Sequence, residues 1–209
     1  MNSISMTGKK GLLIILSSPS GGGKTSVYME LLRRNKEFLY SVSATTRQKR
    51  KGEIDGESYF FLSEDEFLKQ VKDNEFAEYA RVYDNYYGTY RSTIENAVDS
   101  GRTILMDVDT QGAINLQNEY NEAVTIFLVP PSLEILEQRL EKRGTDNPEI
   151  RSRRLEETLK EIAEVPNYKY VVINDLFDQT VSSVESIIEA ESLKTSNYSD
   201  DYFLKMFSP

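Results

Sequence analysis

Gly11-Leu-Leu-Ile-Ile-Leu-Ser17, followed at once by Ser18-Pro-Ser-Gly-Gly-Gly-Lys-Thr25, decides the fold class. The apolar run reads as a strand buried on both faces. The glycines read as a turn, and Lys24 to Arg34 as a helix carrying Val27, Leu31 and Leu32 on one side. The eight residues from Ser18 to Thr25 match G-x-x-x-x-G-K-[ST] except that Ser18 stands in place of the first glycine. Gly21, Gly22 and Gly23 let successive backbone N–H groups turn into one concavity, an anion nest with the positive end of the helix dipole behind it. Lys24 can reach the outer phosphates of a nucleoside triphosphate, and the Thr25 hydroxyl can ligate Mg²⁺. A ligand-free glycine turn is the blander reading. The order strand, turn, Gly23-Lys24-Thr25, helix argues against it.

Outward from this loop the same rhythm continues. Thr103 to Val108 and Val124 to Val129 are continuous apolar runs, each followed by a helical pattern, Thr110 to Glu119 and Ser132 to Lys142. Tyr170 to Ile173 reads as a last strand and Thr180 to Leu193 as a last helix, with Val181, Val184, Ile187 and Ile188 inward. Continuous strands alternating with helices predict an α/β fold around a parallel sheet covered on both faces. Ala44 to Arg91 breaks the rhythm and is rich in Tyr and Gly. It contains Tyr59-Phe-Phe-Leu62, Phe76-Ala-Glu-Tyr79 and a single helical stretch, Glu64 to Lys72, and reads as a smaller, mostly antiparallel insertion. The polar tail beyond Glu191 is expected to be loosely held, at least in part.

The 209 residues carry 25 Lys+Arg against 34 Asp+Glu, a formal charge of −9, with no Cys and no His. Disulfides, thiolate nucleophiles, a Ser-His-Asp triad and Cys- or His-based metal sites are therefore excluded. Chemistry must run on carboxylates, Lys and Arg, backbone amides and a hard cation. The negative balance argues against nucleic acid as a partner. Residues 1–10 are polar with no signal-peptide core, and the longest apolar run, Leu12 to Leu16, is too short to cross a bilayer; a cytoplasmic chain without a membrane partner is expected. Two stretches oppose the acidic balance: Thr46 to Gly52, with four basic residues and no acid, and Arg139 to Arg154, net +3.

A carboxylate at the end of Ile104-Leu-Met-Asp-Val-Asp109 suits the phosphate loop. Asp107 is placed for a water-mediated magnesium contact. For Asp109 the competing reading is a helix cap, since a helix opens at Thr110; two carboxylates at i and i+2 beside a nucleotide loop favour function. At the entry to the insertion, Ser43-Ala-Thr-Thr-Arg47 and Arg50 are followed by Gly52-Glu-Ile-Asp-Gly56 and Tyr59. Two guanidiniums three residues apart, with tyrosine hydroxyls nearby, make a second phosphate site, which implies phosphoryl transfer between two phosphorylated molecules. Farther on come Glu78 and Tyr86-Tyr87-Gly88-Thr89. A carboxylate in a dry pocket, accepting two N–H donors, could read a guanine edge and would penalise adenine. Packing of the small insertion is the competing reading for Tyr79, Tyr83 and Tyr86.

The ordered set Ser18 to Thr25, Ser43 to Arg47, Arg50, Gly52-Glu53, Asp55-Gly56, Tyr59-Phe60-Phe61, Asn85 to Thr89, Asp107 to Gly112, Pro130-Pro-Ser132, Arg143-Gly144 and Asn174-Asp175 resembles guanylate kinase, over about Gly11 to Leu193. The resemblance implies a P-loop nucleoside monophosphate kinase converting GMP, and dGMP, to GDP with ATP and Mg²⁺. Its implied organisation is an extension 1–10, a core of 11–43, 92–137 and 164–193, a GMP-binding insertion 44–91, a helical lid 138–163 and a tail 194–209. Carried over, Ser43, Glu78 and Asp109 would contact the guanine, Thr89 would stand beside the base, and Arg47, Arg50, Tyr59 and Tyr87 would hold the GMP phosphate. Ser18, Pro19, Ser20, Gly21, Gly22, Gly23, Lys24, Thr25 and Ser26 would hold ATP, with Asn174 near the adenine and Thr25 and water-linked Asp107 toward the metal. Lys24, Arg47, Arg139, Arg143 and Arg154 would be catalytic, the last three as lid-side cations where charge builds on the transferring group. Arg151 and Arg153 read equally well as solvated helix charges. Lys49 stands where the family often has Pro, and Ser18 where Gly or Ala is usual. A ribose-bisphosphate kinase on the same frame would not need the base-reading set, and a non-catalytic scaffold module typically has a degraded phosphate loop. Small-molecule substrates are the partners implied, and a homo-oligomer is left open.

Overall fold

The computed structural model describes residues 8–82, 84–141, 156 and 158–208. Its centre is β1 (Leu13–Ser17), every residue of which is buried. Parallel neighbours flank it: β7 (Ile104–Asp107) on one side, from Leu13 opposite Ile104 to Leu16 opposite Asp107, and β8 (Val124–Val129) on the other. The sheet is completed by the two-residue β2 (Leu39–Tyr40) beyond β7 and by β9 (Tyr170–Ile173) beyond β8, giving the order β2-β7-β1-β8-β9 with all pairs parallel.

The alternation of side chains along β1 divides the core into two layers. Ile14 and Leu16 meet Val27, Tyr28 and Leu31 of α1 (Lys24–Arg34), together with Val181, Val184 and Ile188 of α6 (Phe177–Ser192). Leu13 and Ile15 meet Ile94 and Ala97 of α3 (Arg91–Asp99), and Ala113 and Leu116 of α4 (Thr110–Glu119). The expected α/β arrangement is present. Helix α6 begins three residues earlier than its apolar periodicity suggests, because its first turn, Phe177 to Gln179, faces solvent and carries no inward apolar residue. Strand β1 begins after Gly11, whose N–H is already bonded to Val98 O (2.8 Å) and which lies so close to the Arg102 backbone that no Cβ would fit.

The insertion forms its own four-stranded sheet, β4-β3-β6-β5. Strands β3 (Ala44–Thr45), β6 (Asn85–Tyr90) and β5 (Phe76–Val82) pair antiparallel, whereas β4 (Phe60–Phe61) runs parallel to β3; the sheet is mixed and mostly antiparallel, as expected, and the β3–β4 pair is its parallel part. Helix α2 (Glu64–Lys72) covers it. Ser63 and Glu66 cap this helix reciprocally, and Phe67 drops from it onto Phe76 and Tyr86 at ring separations of 4.5 and 5.4 Å. Tyr86 is thus a packing residue, while Tyr79 is exposed and Tyr83 lies outside the described residues. Gly88 in β6 makes room for these rings, since a Cβ there would stand 3.0 Å from both Phe67 and Phe76.

The tail is more ordered than its composition suggests. Lys9 bridges Tyr198 antiparallel, Lys10 N–H donates to Asn197 O (2.7 Å) and Ser199 N–H to Gly8 O (2.9 Å). The Lys9 ammonium sits over the Tyr198 ring, which clusters with Tyr202 and Phe203 of α7 (Tyr202–Met206). The aromatic residues spaced through a polar segment supply the contact that polarity alone does not. Helix α5 (Leu133–Glu141) leads into the stretch expected as the lid; Arg143, Arg151, Arg153 and Arg154 lie outside the described residues. Among the described residues no helix is long and apolar enough to cross a membrane.

Candidate functional site

Residues 18–23 curl between β1 and α1. Gly21 and Gly23 adopt φ of 83° and 89°, in the left-handed region open to glycine, and Gly22 N–H closes a turn on Pro19 O (2.8 Å). No side chain caps α1, so its first N–H groups remain directed at the loop's concavity. Asn174, just past β9, donates from Nδ2 to Gly22 O (2.6 Å), and its main-chain carbonyl accepts from Arg139 Nη2 of α5 (3.0 Å). Gly21, Gly23, Ser26, Arg139, Asn174, Asp175 and Phe177 line a cleft of about 330 Å³ on this side of the loop.

The Lys24 ammonium reaches the other way. It donates to Val108 O (2.8 Å) and pairs with the Asp107 carboxylate at the carboxyl end of β7. Asp107 in turn lines a second cavity, of about 170 Å³, together with Ser43, Tyr59, Glu78, Ala80, Val82, Tyr87, Val108 and Asp109. The ammonium therefore marks the junction between two cavities. They lie on either side of the crevice where doubly wound sheets bind ligands, at the strand ends between β1 and β7.

The second cavity has a charged mouth and a largely buried floor. On the floor, Glu78 Oε1 accepts from Thr89 Oγ1 (3.0 Å) across the β5–β6 pair. Burial pushes the Glu78 carboxyl up to about 7; the Thr89 hydrogen bond opposes that shift and the Asp109 charge adds to it. Asp109 serves two purposes at once. Its Oδ1 accepts from Gly112 N–H (2.7 Å) as the cap of α4, and the residue still faces the cavity. Gly112 is what brings these acids together, for its Cβ position lies 3.2 Å from Asp109 Oδ1 and 3.3 Å from Glu78 Oε2. At the mouth, Arg47 forms a two-pronged pair with Glu53 (2.8 and 3.1 Å) and donates to Gln48 O (2.8 Å). Its guanidinium lies 5.4 Å from the Tyr59 ring centroid and 5.8 Å from that of Phe61. Tyr59 meets Tyr87 edge-on at 6.1 Å, and burial pushes the Tyr59 hydroxyl up.

A family model described as guanylate kinase matches residues 10–191. The guanylate kinase of Clostridium tetani is 45% identical over 196 residues, covering 94% of each chain, and that of Rickettsia prowazekii is 47% identical over 189 residues, covering 90% of this chain and 96% of its own. The crystal structure of guanylate kinase from Anaplasma phagocytophilum superposes with a TM-score of 0.75 at 33% identity, covering 95% and 96% of the two chains.

The chain belongs to the guanylate kinase family.

Within this guanylate kinase the structure gathers Ser43, Tyr59, Glu78, Tyr87, Asp107 and Asp109 around one cavity, with Thr89 behind Glu78 and Arg47 beside Tyr59. Arg50 takes part through its backbone, its N–H donating to Glu53 Oε2 (2.7 Å), while the residue itself is exposed. Glu53 stands out as a participant whose part the sequence reading left unassigned. It holds both the Arg47 side chain and the Arg50 backbone, and the Arg47 guanidinium and Arg50 N–H hold its carboxyl below the usual range. Its signals in the sequence were its place in the Gly52-Glu53 pair of the guanylate kinase-like set and its position three residues after Arg50, where the basic stretch ends. Asn174, expected near the adenine, and Arg139, expected among the catalytic lid-side cations, are joined by a hydrogen bond from Arg139 Nη2 to the Asn174 main-chain carbonyl. Thr25 is exposed on the first turn of α1.

Proposed function

We propose that this guanylate kinase transfers the γ-phosphoryl group of ATP to the phosphate of GMP, giving ADP and GDP, across the Lys24–Asp107 junction. Glu78 carries the reading. It is a desolvated carboxylate held by Thr89 beside Asp109, in a cavity whose mouth holds Arg47, Tyr59 and Tyr87. Such a carboxylate, once ionised, accepts the N1–H and exocyclic amine of guanine together; adenine lacks that pair and would leave it buried and unpaired. The contacts invoked are to base and phosphate, so dGMP is accepted as well.

On the donor side the loop N–H groups and Lys24 take the ATP phosphates. Lys24 exchanges its present partners, Asp107 and the Val108 carbonyl, for phosphate oxygens. The Thr25 hydroxyl and the Asp107 carboxylate are hard oxygen donors of the kind magnesium takes while keeping much of its water, and they fit it as ligands. Bound there, magnesium would neutralise charge between the phosphates. Arg47 orients the acceptor phosphate, and Arg139 adds fixed positive charge where negative charge builds; Arg143 and Arg154, outside the described residues, are proposed to act with it. No strong general base is needed, in keeping with a chain that has no histidine. A cytoplasmic role in purine nucleotide metabolism completes the proposal.

A coupled ADP-release assay with ATP, Mg²⁺ and GMP, dGMP, AMP, IMP or UMP as acceptor tests it. GMP and dGMP are expected to be used and AMP and UMP rejected. Comparable turnover of AMP or UMP would remove the assignment of Glu78 and the activity with it.

A further inference from the structure

Asn174 occupies an unusual place between the sheet, the phosphate loop and α5. It is almost fully buried. Its main-chain N–H continues the sheet by donating to Val129 O (2.7 Å), its Nδ2 donates to Gly22 O (2.6 Å), and its main-chain carbonyl accepts from Arg139 Nη2 (3.0 Å). A Cβ on Gly23 would collide with the same amide nitrogen. The Asn174 amide is thus packed against the 22–23 peptide and already has a partner there.

The consequence follows from peptide geometry. Gly22 C=O and Gly23 N–H belong to one planar trans unit and point in opposite directions. An anchored Gly22 carbonyl aims the Gly23 N–H away from Asn174, toward the concavity of the loop. Without the Asn174 donor that carbonyl would be an unsatisfied buried acceptor, and the peptide would be free to turn over. The Asn174 main-chain carbonyl fixes one prong of Arg139. The other prong, Nη1, is buried without a hydrogen-bond partner among the described residues and lies 4.0 Å from the Cβ position of Gly23. One residue thereby fixes a loop peptide through its side-chain amide and a neighbouring guanidinium through its main-chain carbonyl.

We propose that Asn174 is a positioning residue for the donor phosphates, its side-chain amide orienting the phosphate loop beside the Arg139 that its main chain holds, and that it does not select the donor base. The inference rests on the donor-side reading given above. Binding of inorganic tripolyphosphate, measured without turnover, keeps its failure distinct from failure of the GMP reaction.

Two variants of the full chain test it. Asn174→Ala keeps the backbone contacts and removes only the amide tether; Asn174→Asp is nearly isosteric but sets an acceptor against the Gly22 carbonyl. Tripolyphosphate affinity and kcat/KM for the donor are expected to fall about tenfold in Asn174→Ala, the worth of one hydrogen bond, and further in Asn174→Asp. The loss should be the same factor for ATP and GTP as donors, with KM for GMP unchanged. A loss confined to ATP, or full tripolyphosphate affinity in Asn174→Asp, would overturn the proposal. Should the variants fail to fold, the unsubstituted protein decides by NMR. The Asn174 side-chain amide protons are expected to be protected from exchange in the free protein and to shift with tripolyphosphate; protons that exchange freely, or respond to adenosine alone, refute it.

Discussion

Replacing Glu78 by Gln separates the stability of this guanylate kinase from its use of GMP. In the free protein, burial lifts the Glu78 carboxyl from an ordinary 4.5 to about 7. A carboxyl raised on folding makes the folded state bind more protons than the unfolded chain between those two values, so stability falls as pH rises through that window and then levels off. The size of the shift corresponds to about 3 kcal/mol of strain carried by the ionised carboxylate at pH 8. Glutamine carries no charge to desolvate and can still accept from Thr89. Glu78→Gln is therefore expected to match the original protein near pH 4 and to exceed its melting midpoint increasingly toward pH 8, by roughly 6 °C for a chain of this size. Binding responds in the opposite sense. Guanine needs the ionised acceptor, so GMP affinity should weaken about tenfold per unit as pH drops below 7, one proton being released on binding. Asp107, Asp109 and Tyr59 share the cavity, and the GMP phosphate titrates near pH 6. Glu78→Gln is the control that retains all of these. Calorimetric titration with GMP between pH 5.5 and 8.5 in buffers of differing ionisation enthalpy measures affinity and proton release together. Parallel pH profiles for the two proteins, or a Gln variant whose melting midpoint exceeds the original's by no more at pH 8 than at pH 4, would refute the reasoning.

Two further outcomes are expected. Glu53→Gln loses the charge that fixes Arg47 and the Arg50 backbone, and should raise KM for GMP about tenfold while leaving KM for ATP alone; if Glu53 merely offset positive charge, steady-state kinetics would instead show tighter GMP. Ending the chain after Leu193 removes the partners of Gly8 to Lys10 and the Tyr198–Tyr202–Phe203 cluster. Its melting midpoint should fall by a few degrees, while KM for both nucleotides stays unchanged, since none of these residues borders either cavity.

The residues differ in how far their surroundings could be read from the chain. Ser18 to Thr25 and the flanking apolar runs declare themselves because strand, turn and helix are each local. Periodicity also places α1, α2 and α4 at their observed ends. The parallel pair between Ala44 and Phe60 escapes such reading, because it joins segments with no periodic register between them. The tail escapes it too, since its docking depends on Gly8 to Lys10, far away in sequence.

At the site the division is sharper. Residue chemistry alone leaves an acidic chain without Cys or His arginines, a lysine, carboxylates and backbone amides to work with, and its basic clusters beside a phosphate loop point to two phosphate-bearing ligands. Which group touches which is decided only by the fold. Lys24 meets Asp107, 83 positions away by number, because β1 and β7 are neighbours in the sheet. Asn174 meets Gly22 because β9 ends beside the loop. Glu78 acquires its raised affinity for a proton only when β5, β6 and α4 close around it, a small change in covalent terms but a large one in dielectric. Composition and spacing act within a few residues, whereas burial and electrostatics act through space, and the parallel sheet converts one into the other.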